Sequence, residues 1–319
     1  MHLLVPFASD CSEACRHVLA DLALPNLERL LSLLSPAARD EADRLTLSPP
    51  HERALAAAFG WHGGDGALPF AAQAAQADGV AVGDKAWGLF TPSHWQLGRD
   101  RVVMLDPGLL PLGEDDARAL FAAFRELVEG DGFDAAWGAP GRWYAARGDL
   151  DGLATASLDR AVGRDVDPWL RMPAADASAE RRATHAALRR LQSEAQLVFH
   201  THPVNEAREQ RGEPAVNSFW LSGCGRAQPA RDYAAPDVDT SLRASLFAGD
   251  LGAWAEAWRA LDAGPLGRLL AAVRAGTSAT LTLCGERSAA RFETAPRSLW
   301  RRLGSAWQKS SPHELLAAL

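Results

Sequence analysis

Two histidines, two asparagines and two arginines lie close together between Leu197 and Gly225. Arginine offers a forked set of donors to phosphate or carboxylate oxygens, so this mixture favours a small anionic ligand over an apolar one. A structural role is the alternative, because histidines after a strand can bond to loop carbonyls and asparagines in turns cap their own backbone. The six residues are His200, His202, Asn205, Arg208, Arg211 and Asn217.

The elements around these residues are predicted from their pattern. The apolar run Leu197–Phe199 predicts a short buried strand that ends before Pro203, since proline cannot donate to a β-ladder. Residues 206–211 are predicted to form a short helical turn. A second apolar segment, residues 219–221, is expected to end in a glycine-rich turn at 223–225.

Composition limits the class of protein. With 319 residues, 47% of them hydrophobic and 23% charged, the chain is expected to form one large or two medium globular domains. A net charge of -7 without any basic run argues against nucleic-acid binding. The first residues turn polar too early for a signal peptide and no apolar run reaches membrane-spanning length, so we expect a cytoplasmic protein that binds no membrane. The four cysteines have neither zinc-site nor disulfide-framework spacing.

Apolar periodicity predicts the other main elements. Leu3–Phe7 is predicted to be the first, central strand of a sheet, and Glu114–Glu129 a strong amphipathic helix. Trp143–Ala146 is predicted to be a returning strand, and Glu180–Gln196 a second amphipathic helix. The apolar and β-branched segment Ala279–Cys284 predicts a late strand that leads into a sharp turn.

The stretch from His202 to Gly225 resembles the segment H-P-x-N-x-x-R-x-x-x-G-x-x-x-A-N...L-x-G-x-G of the archaeal-type, cofactor-independent phosphoglycerate mutases, members of the alkaline phosphatase superfamily. Val216 stands where that family has alanine. The chain is also similar to a bacterial group of regulatory or mutase-like proteins, the RpfE type. The matching residues are His202, Pro203, Asn205, Arg208, Gly212, Asn217, Gly223 and Gly225.

This resemblance implies an α/β fold in which a mostly parallel, alkaline phosphatase-like sheet is sandwiched by helices. Residues 1–64 and 160–319 would form that core, and residues 65–159 a smaller inserted α+β domain. In the family the inserted domain closes over the substrate and contributes basic or hydroxyl groups. Arg142 and Arg147 are the candidates here, with paired surface arginines as the alternative.

Three places that carry two-metal phosphoryl transfer in the family differ in this chain. Residues 6–8, Pro-Phe-Ala, replace the metal-binding aspartate after the first strand. His51 and Glu52 stand at the nucleophilic serine and its neighbouring aspartate. Glu286 and Arg287 stand at an aspartate–histidine pair, and a guanidinium repels a cation. We therefore expect the metal reaction to be lost, with no cofactor, and Arg287 to join the six residues above in binding a small anionic or phosphorylated ligand.

The favoured hypothesis is a non-catalytic binding or regulatory protein, a pseudoenzyme that recognises an anionic metabolite and has a protein partner. The alternative is an active phosphoglycerate mutase or phosphatase that uses Mn²⁺ or Mg²⁺, in which His51 accepts the phosphoryl group and Glu52 assists. Against this, residues 50–52 are also typical of a helix start with an acid in its first turn. A third hypothesis is a structural partner that makes contacts through exposed tryptophans. The metal ligands of the alternative would come from Asp10, Glu52, Glu286 and His200 or His202.

Overall fold

The computed structural model describes residues 1–170, 177–229, 235–294 and 311–319. The chain divides into two compact units. The first unit comprises Met1–Arg44, Pro49–Gly60 and Ala230–Leu319, and the second comprises Leu45–Ser48 and Trp61–Pro229. These limits differ from the predicted domains, because residues 160–229, which were assigned to the core, fall in the second unit.

The described strands and helices follow each other along the chain, with a π-helical segment, Asp262–Leu266, between the tenth and eleventh helices. The strands are β1 (His2–Val5), β2 (Ser35–Glu41), β3 (Ala86–Ser93), β4 (Trp95–Leu97), β5 (Val102–Met104), β6 (Asp134–Ala139), β7 (Arg142–Ala146), β8 (Ser218–Arg226), β9 (Asp237–Val238), β10 (Thr280–Cys284) and β11 (Ser288–Glu293). The helices are α1 (Glu13–Ala20), α2 (Pro25–Leu33), α3 (Pro50–Phe59), α4 (Phe70–Ala77), α5 (Glu114–Gly130), α6 (Leu158–Ala161), α7 (Ala179–His200), α8 (Pro203–Gln210), α9 (Arg243–Phe247), α10 (Leu251–Leu261), α11 (Gly267–Arg274) and α12 (Pro312–Ala317).

A mixed sheet forms the centre of the first unit. Its order within the described residues is β2–β11–β10–β1–β9. β1 pairs in parallel with β10 and β9, whereas the pairs β10–β11 and β11–β2 are antiparallel. The prediction of a mostly parallel sheet is therefore not confirmed, because residues 285–287 turn β10 directly back into β11 as a hairpin. β1 is an interior strand with β10 on one side and β9 on the other, but the middle position of the described sheet belongs to β10 and not to the first strand as predicted.

The helices of the first unit cover this sheet with apolar side chains. α10 buries Trp254 and Trp258, whose rings meet edge to face at 6.2 Å. Burying a large apolar side chain contributes roughly 1.5–3 kcal/mol, so these two residues are major contributors to the core. The N-terminus of α2 has no cap from its own N-cap residue, and Asp262 takes that role by accepting the backbone N–H of Asn26 at 3.1 Å and of Leu27 at 2.8 Å.

An antiparallel sheet of order β6–β7–β3–β8 forms the centre of the second unit within the part of the chain described. α5 and α7 pack against each other and against this sheet. The predicted helix 114–129 is confirmed, and its inward face holds the five apolar residues that the periodicity marked. The predicted strand 143–146 is confirmed as β7. The five residues are Ala117, Leu120, Phe121, Phe124 and Val128.

The predicted strand Leu197–Phe199 is wrong, since these residues form the last turn of α7. Leu191, Ala195 and Phe199 are buried four residues apart, which is helical spacing, while Leu197 is 70% exposed. A three-residue apolar run cannot distinguish a strand from the end of a buried helix. The prediction of a short helical turn after Pro203 is confirmed by α8.

The predicted glycine-rich turn at 223–225 is also wrong, because these residues lie inside β8. Gly223 has φ 67° and Gly225 φ 150°, conformations that favour glycine. A Cβ on Gly223 would lie 2.8 Å from the backbone nitrogen of Ala71, at the start of α4. The glycines therefore allow α4 to approach the strand closely, and they accompany a register shift between β3 and β8.

Tryptophan exposure bears on the third hypothesis. None of the nine tryptophans among the described residues is exposed, and seven of them are buried. Trp300 and Trp307 lie outside the described residues. In the described part of the chain, an exposed tryptophan surface for a partner is therefore not found. Within the same residues, the longest helices are all too short or too polar to cross a membrane.

His2 makes stability depend on pH. The ring Nε2 of His2 lies 2.9 Å from Thr282 Oγ1. Burial is the main cause that lowers the pKa of His2 to about 4, and the charge of Arg291 is the second. Glu293 opposes this shift, whereas the N-terminal amine adds to it. The folded state therefore binds fewer protons than the unfolded state between the ordinary value of 6.5 and about 4.

We expect the free energy of unfolding to fall as pH falls through this window, with a smaller fall for His2→Asn. Urea denaturation at a series of pH values from 7 to 4 measures this fall in the free energy of unfolding. His17→Asn, an exposed position, is the control, and an unchanged slope in His2→Asn contradicts the assignment.

Candidate functional site

Asn205, one of the six predicted ligand residues, is buried and connects two backbone segments. Its Nδ2 donates to the carbonyl oxygens of Phe199 at 2.7 Å and Val216 at 2.8 Å. Its Oδ1 accepts the N–H of Val216 at 2.9 Å. The amide thus joins the end of α7 to the segment before β8, and both of its polar atoms have protein partners.

Arg208 is 0% exposed and uses all three guanidinium nitrogens on backbone carbonyls. Nε and Nη2 donate to Pro214 O at 3.0 and 2.9 Å, and Nη1 donates to Pro111 O at 2.9 Å. The carboxylates of Asp116 and Glu213 lie 3.5 and 3.4 Å from Nη1. This geometry favours a structural role, because a ligand would have to displace the carbonyls.

Arg211, at the exposed end of α8, bonds to the same two carboxylates, Asp116 at 2.8 Å and Glu213 at 2.9 Å. The side-chain hydrogen bond from Arg211 holds the pKa of Glu213 below its ordinary value. The structure therefore brings Arg208 and Arg211 together around two acids. Because these acids offset the charge of the arginines, the cluster offers little attraction to an anion.

The two histidines and Asn217 are separate from that cluster in their bonding. His200 ends α7 with its side chain exposed. His202 is the N-cap of α8, where its Nδ1 accepts from Val204 N at 3.2 Å, and burial lowers the pKa of His202. Asn217 pairs with the backbone of Trp95, accepting its N–H at 2.7 Å and donating to its carbonyl at 2.8 Å. Asn217 and His202 therefore bond to backbone groups of the protein.

Arg142 and Arg147 are ion-paired. Arg142 donates to Asp78 through two nitrogens, and Tyr144 adds its hydroxyl to the same carboxylate at 2.7 Å. Arg147 pairs with Asp149 at 2.7 Å. This is the arrangement that the alternative of paired arginines predicted.

Substituting Arg208 distinguishes the two roles by stability. Arg208→Met is expected to lower the free energy of unfolding by about 2–3 kcal/mol, because it leaves the carbonyls of Pro111 and Pro214 without the donors of a fully buried guanidinium. Arg211→Met, which removes an exposed guanidinium from the same acids, is the matched control and is expected to change stability much less. Urea denaturation of both variants checks this. Equal stability of Arg208→Met and the wild type would exclude the structural role.

In the first unit, β1 and β10 end side by side, and this carboxyl edge carries the other predicted site residues. Ligands of open α/β sheets bind at such edges. Phe7, just after β1, has φ 59°, which is costly for a residue other than glycine. The indole Nε1 of Trp254 donates to the Phe7 carbonyl at 3.2 Å. The Phe7 ring lies 5.3 Å from the ring of Phe247 and 4.9 Å from the imidazole of His51. The strained turn is thus fixed from several directions.

His51 and Glu52 lie in the first turn of α3, with Pro50 at its start. The expectation of a helix start with an acid in its first turn is therefore confirmed. The contact with Phe7 nonetheless places the His51 ring at the carboxyl edge of β1. The two observations are compatible, because the N-terminus of α3 points to that edge.

The turn between β10 and β11 is held in place by its own backbone and by neighbouring segments. Gly285 N donates to Ser288 O at 2.9 Å, closing the turn. Arg287 O accepts the N–H of Ala42 at 3.2 Å and Nη2 of Arg53 at 3.4 Å. Arg53 is itself oriented by Asp40, at 2.7 Å. The Arg287 backbone is therefore well fixed while its side chain is exposed.

A surface cavity of about 520 Å³ opens beside this turn. Its wall carries two guanidiniums and two carboxylates. Arg39 pairs with Glu41, whereas Arg287 has no ion pair among the described residues. The cavity thus contains one guanidinium that no carboxylate holds at hydrogen-bond distance in the described chain. The lining residues are Cys11, Arg39, Glu41, Ala42, Asp43, Arg287, Ser288, Ala317, Ala318 and Leu319.

Cys11 contributes a thiol to the cavity wall. Its backbone N–H donates to Glu286 Oε2 at 3.1 Å. Partial burial and the Glu286 carboxylate raise the pKa of the Cys11 thiol, although Arg287 opposes the shift. Cys11 is therefore protonated at neutral pH and is a poor nucleophile. The Glu286 side chain, one of the metal ligands of the alternative hypothesis, accepts a hydrogen bond at the loop after β1.

Within residues 1–170, 177–229, 235–294 and 311–319, no group of three or more His, Cys, Asp or Glu is arranged to hold a metal ion. Asp10, named as a metal ligand under the alternative, accepts the backbone N–H of Ser12 at 2.7 Å.

Sequence reasoning identified Arg287 but missed the rest of the cavity wall. Arg39 and Glu41 lie on β2, whose sequence S-P-A-A-R-D-E has neither apolar alternation nor a β-branched residue to mark it as a strand. Residue 317 ends α12 and residues 318–319 follow it, and this helix is too short for a reliable helical pattern. No residue-level signal pointed to either segment.

Comparisons with known proteins find similar solved structures, two of which are described here, and no sequence family. No family model matches the chain, and no curated protein matches it. The PH0037 protein from Pyrococcus horikoshii is similar with a TM-score of 0.46 at 14% identity, over 92% of this chain and 87% of that one. A cofactor-independent phosphoglycerate mutase from Thermoplasma acidophilum DSM 1728 is similar with a TM-score of 0.37 at 14% identity, over 100% and 98%. Similarity of this degree assigns no function.

Proposed function

We propose that this chain is a non-catalytic binding protein for a small anionic metabolite, and that the ligand binds in the cavity beside Arg287. The observation that carries the proposal is the exposed Arg287 guanidinium, which lines a cavity of about 520 Å³ without an ion pair in the described residues. This volume is within the range of small-molecule sites. We further propose a regulatory role in the bacterial cytoplasm.

The charges around the cavity support an anionic group over a cationic one at Arg287. Arg39 and Glu41 form a pair and largely offset each other. Arg287 and Asp43 remain in the wall. A guanidinium donates to phosphate or carboxylate oxygens through two parallel hydrogen bonds, which makes Arg287 the natural anchor. Asp43 repels a second negative group nearby, so a ligand with one compact anionic group fits best.

The proposed site leaves out the six residues between 200 and 217. They belong to the second unit, whereas Arg287 belongs to the first. The donors of Asn205 and Arg208 are already bonded to protein carbonyls. If the Arg211→Met variant loses anion binding, the six residues between 200 and 217 do contribute to the binding site.

Calorimetry with inorganic phosphate and with 3-phosphoglycerate tests the proposal. Arg287→Ala is expected to weaken binding about tenfold or more, since it removes charge-assisted hydrogen bonds worth roughly 1.5–3 kcal/mol. Arg29→Ala, an exposed arginine on α2 outside the cavity, is the control and is expected to bind like the wild type. Absence of binding to either probe, or equal binding by Arg287→Ala, refutes the proposal.

The second candidate is the active phosphoglycerate mutase or phosphatase, and one observation favours it: the His51 ring lies at the carboxyl edge of β1, 4.9 Å from the Phe7 ring. An imidazole there could accept a phosphoryl group. Against it stands the lack, among the described residues, of a group arranged to hold a metal ion.

Turnover of 3-phosphoglycerate with added Mn²⁺ separates the two functions. We expect no turnover by the wild type. Manganese-dependent product formation that His51→Ala abolishes, and that Arg29→Ala retains, would instead establish the enzyme. Circular dichroism of His51→Ala shows whether a loss of activity reflects chemistry or unfolding.

A further inference from the structure

The backbone amides at the β10–β11 turn converge on one oxygen. Arg287 N and Ser288 N donate to the backbone oxygen of Leu319 at 3.2 and 2.8 Å. Consecutive N–H groups that point to one place form a concave site for an anionic oxygen. The Arg287 side chain lines the same cavity, so its charge acts on the same region. The geometry is that of an anion subsite with a protein oxygen in it.

The segment that supplies this oxygen is attached by several contacts. Arg39 Nη2 donates to Ala318 O at 2.7 Å, which adds a third donor from the cavity wall. Leu316, on α12, is fully buried and anchors the helix to the core. Ser311 and Glu314 form a capping box at the start of α12. The helix is thus firmly packed, and the residues after it contact the cavity.

Gly285 makes the close approach of Leu319 possible. A Cβ at Gly285 would lie 2.6 Å from both the carbonyl carbon and the Cβ of Leu319, and 2.5 Å from Ser9 Oγ. Atoms do not approach this closely, so a side chain at 285 requires Leu319 and Ser9 to move. Ser9 is buried, and its hydroxyl has no partner among the described residues. The absence of a side chain at 285 therefore determines where residue 319 lies.

We infer that the Arg287 and Ser288 amides bind one oxygen of a ligand carboxylate or phosphate, and that residues 318–319 compete with the ligand for these donors. The inference rests on the proposed function, because it concerns the same cavity. The ligand oxygen and the Leu319 oxygen need the same donors, so an anion of sufficient concentration displaces the segment by competition. Displacement frees three donors, Arg287 N, Ser288 N and Arg39 Nη2, while Glu41 and Asp43 remain in the wall.

Affinity for inorganic phosphate in variants that loosen the segment tests this competition. In the double variant Ser9→Ala/Gly285→Ala the hydroxyl is gone and the new Cβ still clashes with residue 319, so we expect at least fivefold tighter binding than in Ser9→Ala alone. Leu319→Gly removes the buried side chain of that residue and provides a second test that leaves Gly285 in place. It is expected to shift affinity in the same direction. Sodium acetate as a parallel probe shows whether the subsite takes a carboxylate as well as a phosphate.

The outcomes separate this inference from the proposed function. If the wild type binds phosphate, Arg287→Ala abolishes binding, and the loosened variants bind no more tightly, the function stands and the competition is refuted. If no variant binds phosphate or acetate, both fall. Amide exchange gives an independent measure: phosphate should keep the Arg287 and Ser288 amides protected while the amides of residues 316–319 exchange faster. Unchanged exchange at 316–319 in saturating phosphate overturns the inference.

Discussion

The parallel pairing of β1 with β10 is the interaction on which the candidate site depends. It aligns His2–Val5 with Thr280–Leu283, residues almost the whole chain length apart. Because parallel strands end on the same side, the loop after β1 and the turn after β10 emerge together. Ala8 N donates to Cys284 O at 2.8 Å, so the pairing continues past the strand itself. Cys11, Arg287 and Ser288 of the cavity wall come from the two segments that this pairing joins.

The two sets of charged residues show why composition alone does not identify a site. Arg208 and Asn205 have the donors that a phosphate needs, but their neighbouring loops present backbone carbonyls that also need donors. Burial decides between these uses, because a buried carbonyl without a donor costs about 1–3 kcal/mol. Arg287 is exposed on a turn whose own backbone groups are already bonded. Its guanidinium is therefore available for a ligand in a way that the buried donors are not.

The sequence predicts those parts of the fold in which a single element has a long, regular pattern. The helix α5 was predicted to within one residue, with its buried face, because five apolar residues repeat at helical spacing over about three turns. The prediction failed where the apolar run was short, as at Leu197–Phe199, and where glycines served packing instead of a turn, as in β8. The sequence pattern also could not predict whether the strands pair in parallel or antiparallel, because a strand with apolar residues on both faces fits either kind of neighbour. For the site, a motif comparison indicated Arg287, but the cavity around it comes from segments brought together only by the tertiary fold.

The edge strand β2 has a consequence for the behaviour of the protein in concentrated solution. It borders the sheet of the first unit, and most of its side chains are exposed. An open strand edge is a template for pairing between molecules, which leads to aggregation. Pro36 removes one donor from this edge, and Arg39, Asp40 and Glu41 place charges along it. β2 thus combines two features that oppose intermolecular strand pairing, and replacing its charged residues with β-branched ones would make the molecule prone to fibrous assembly.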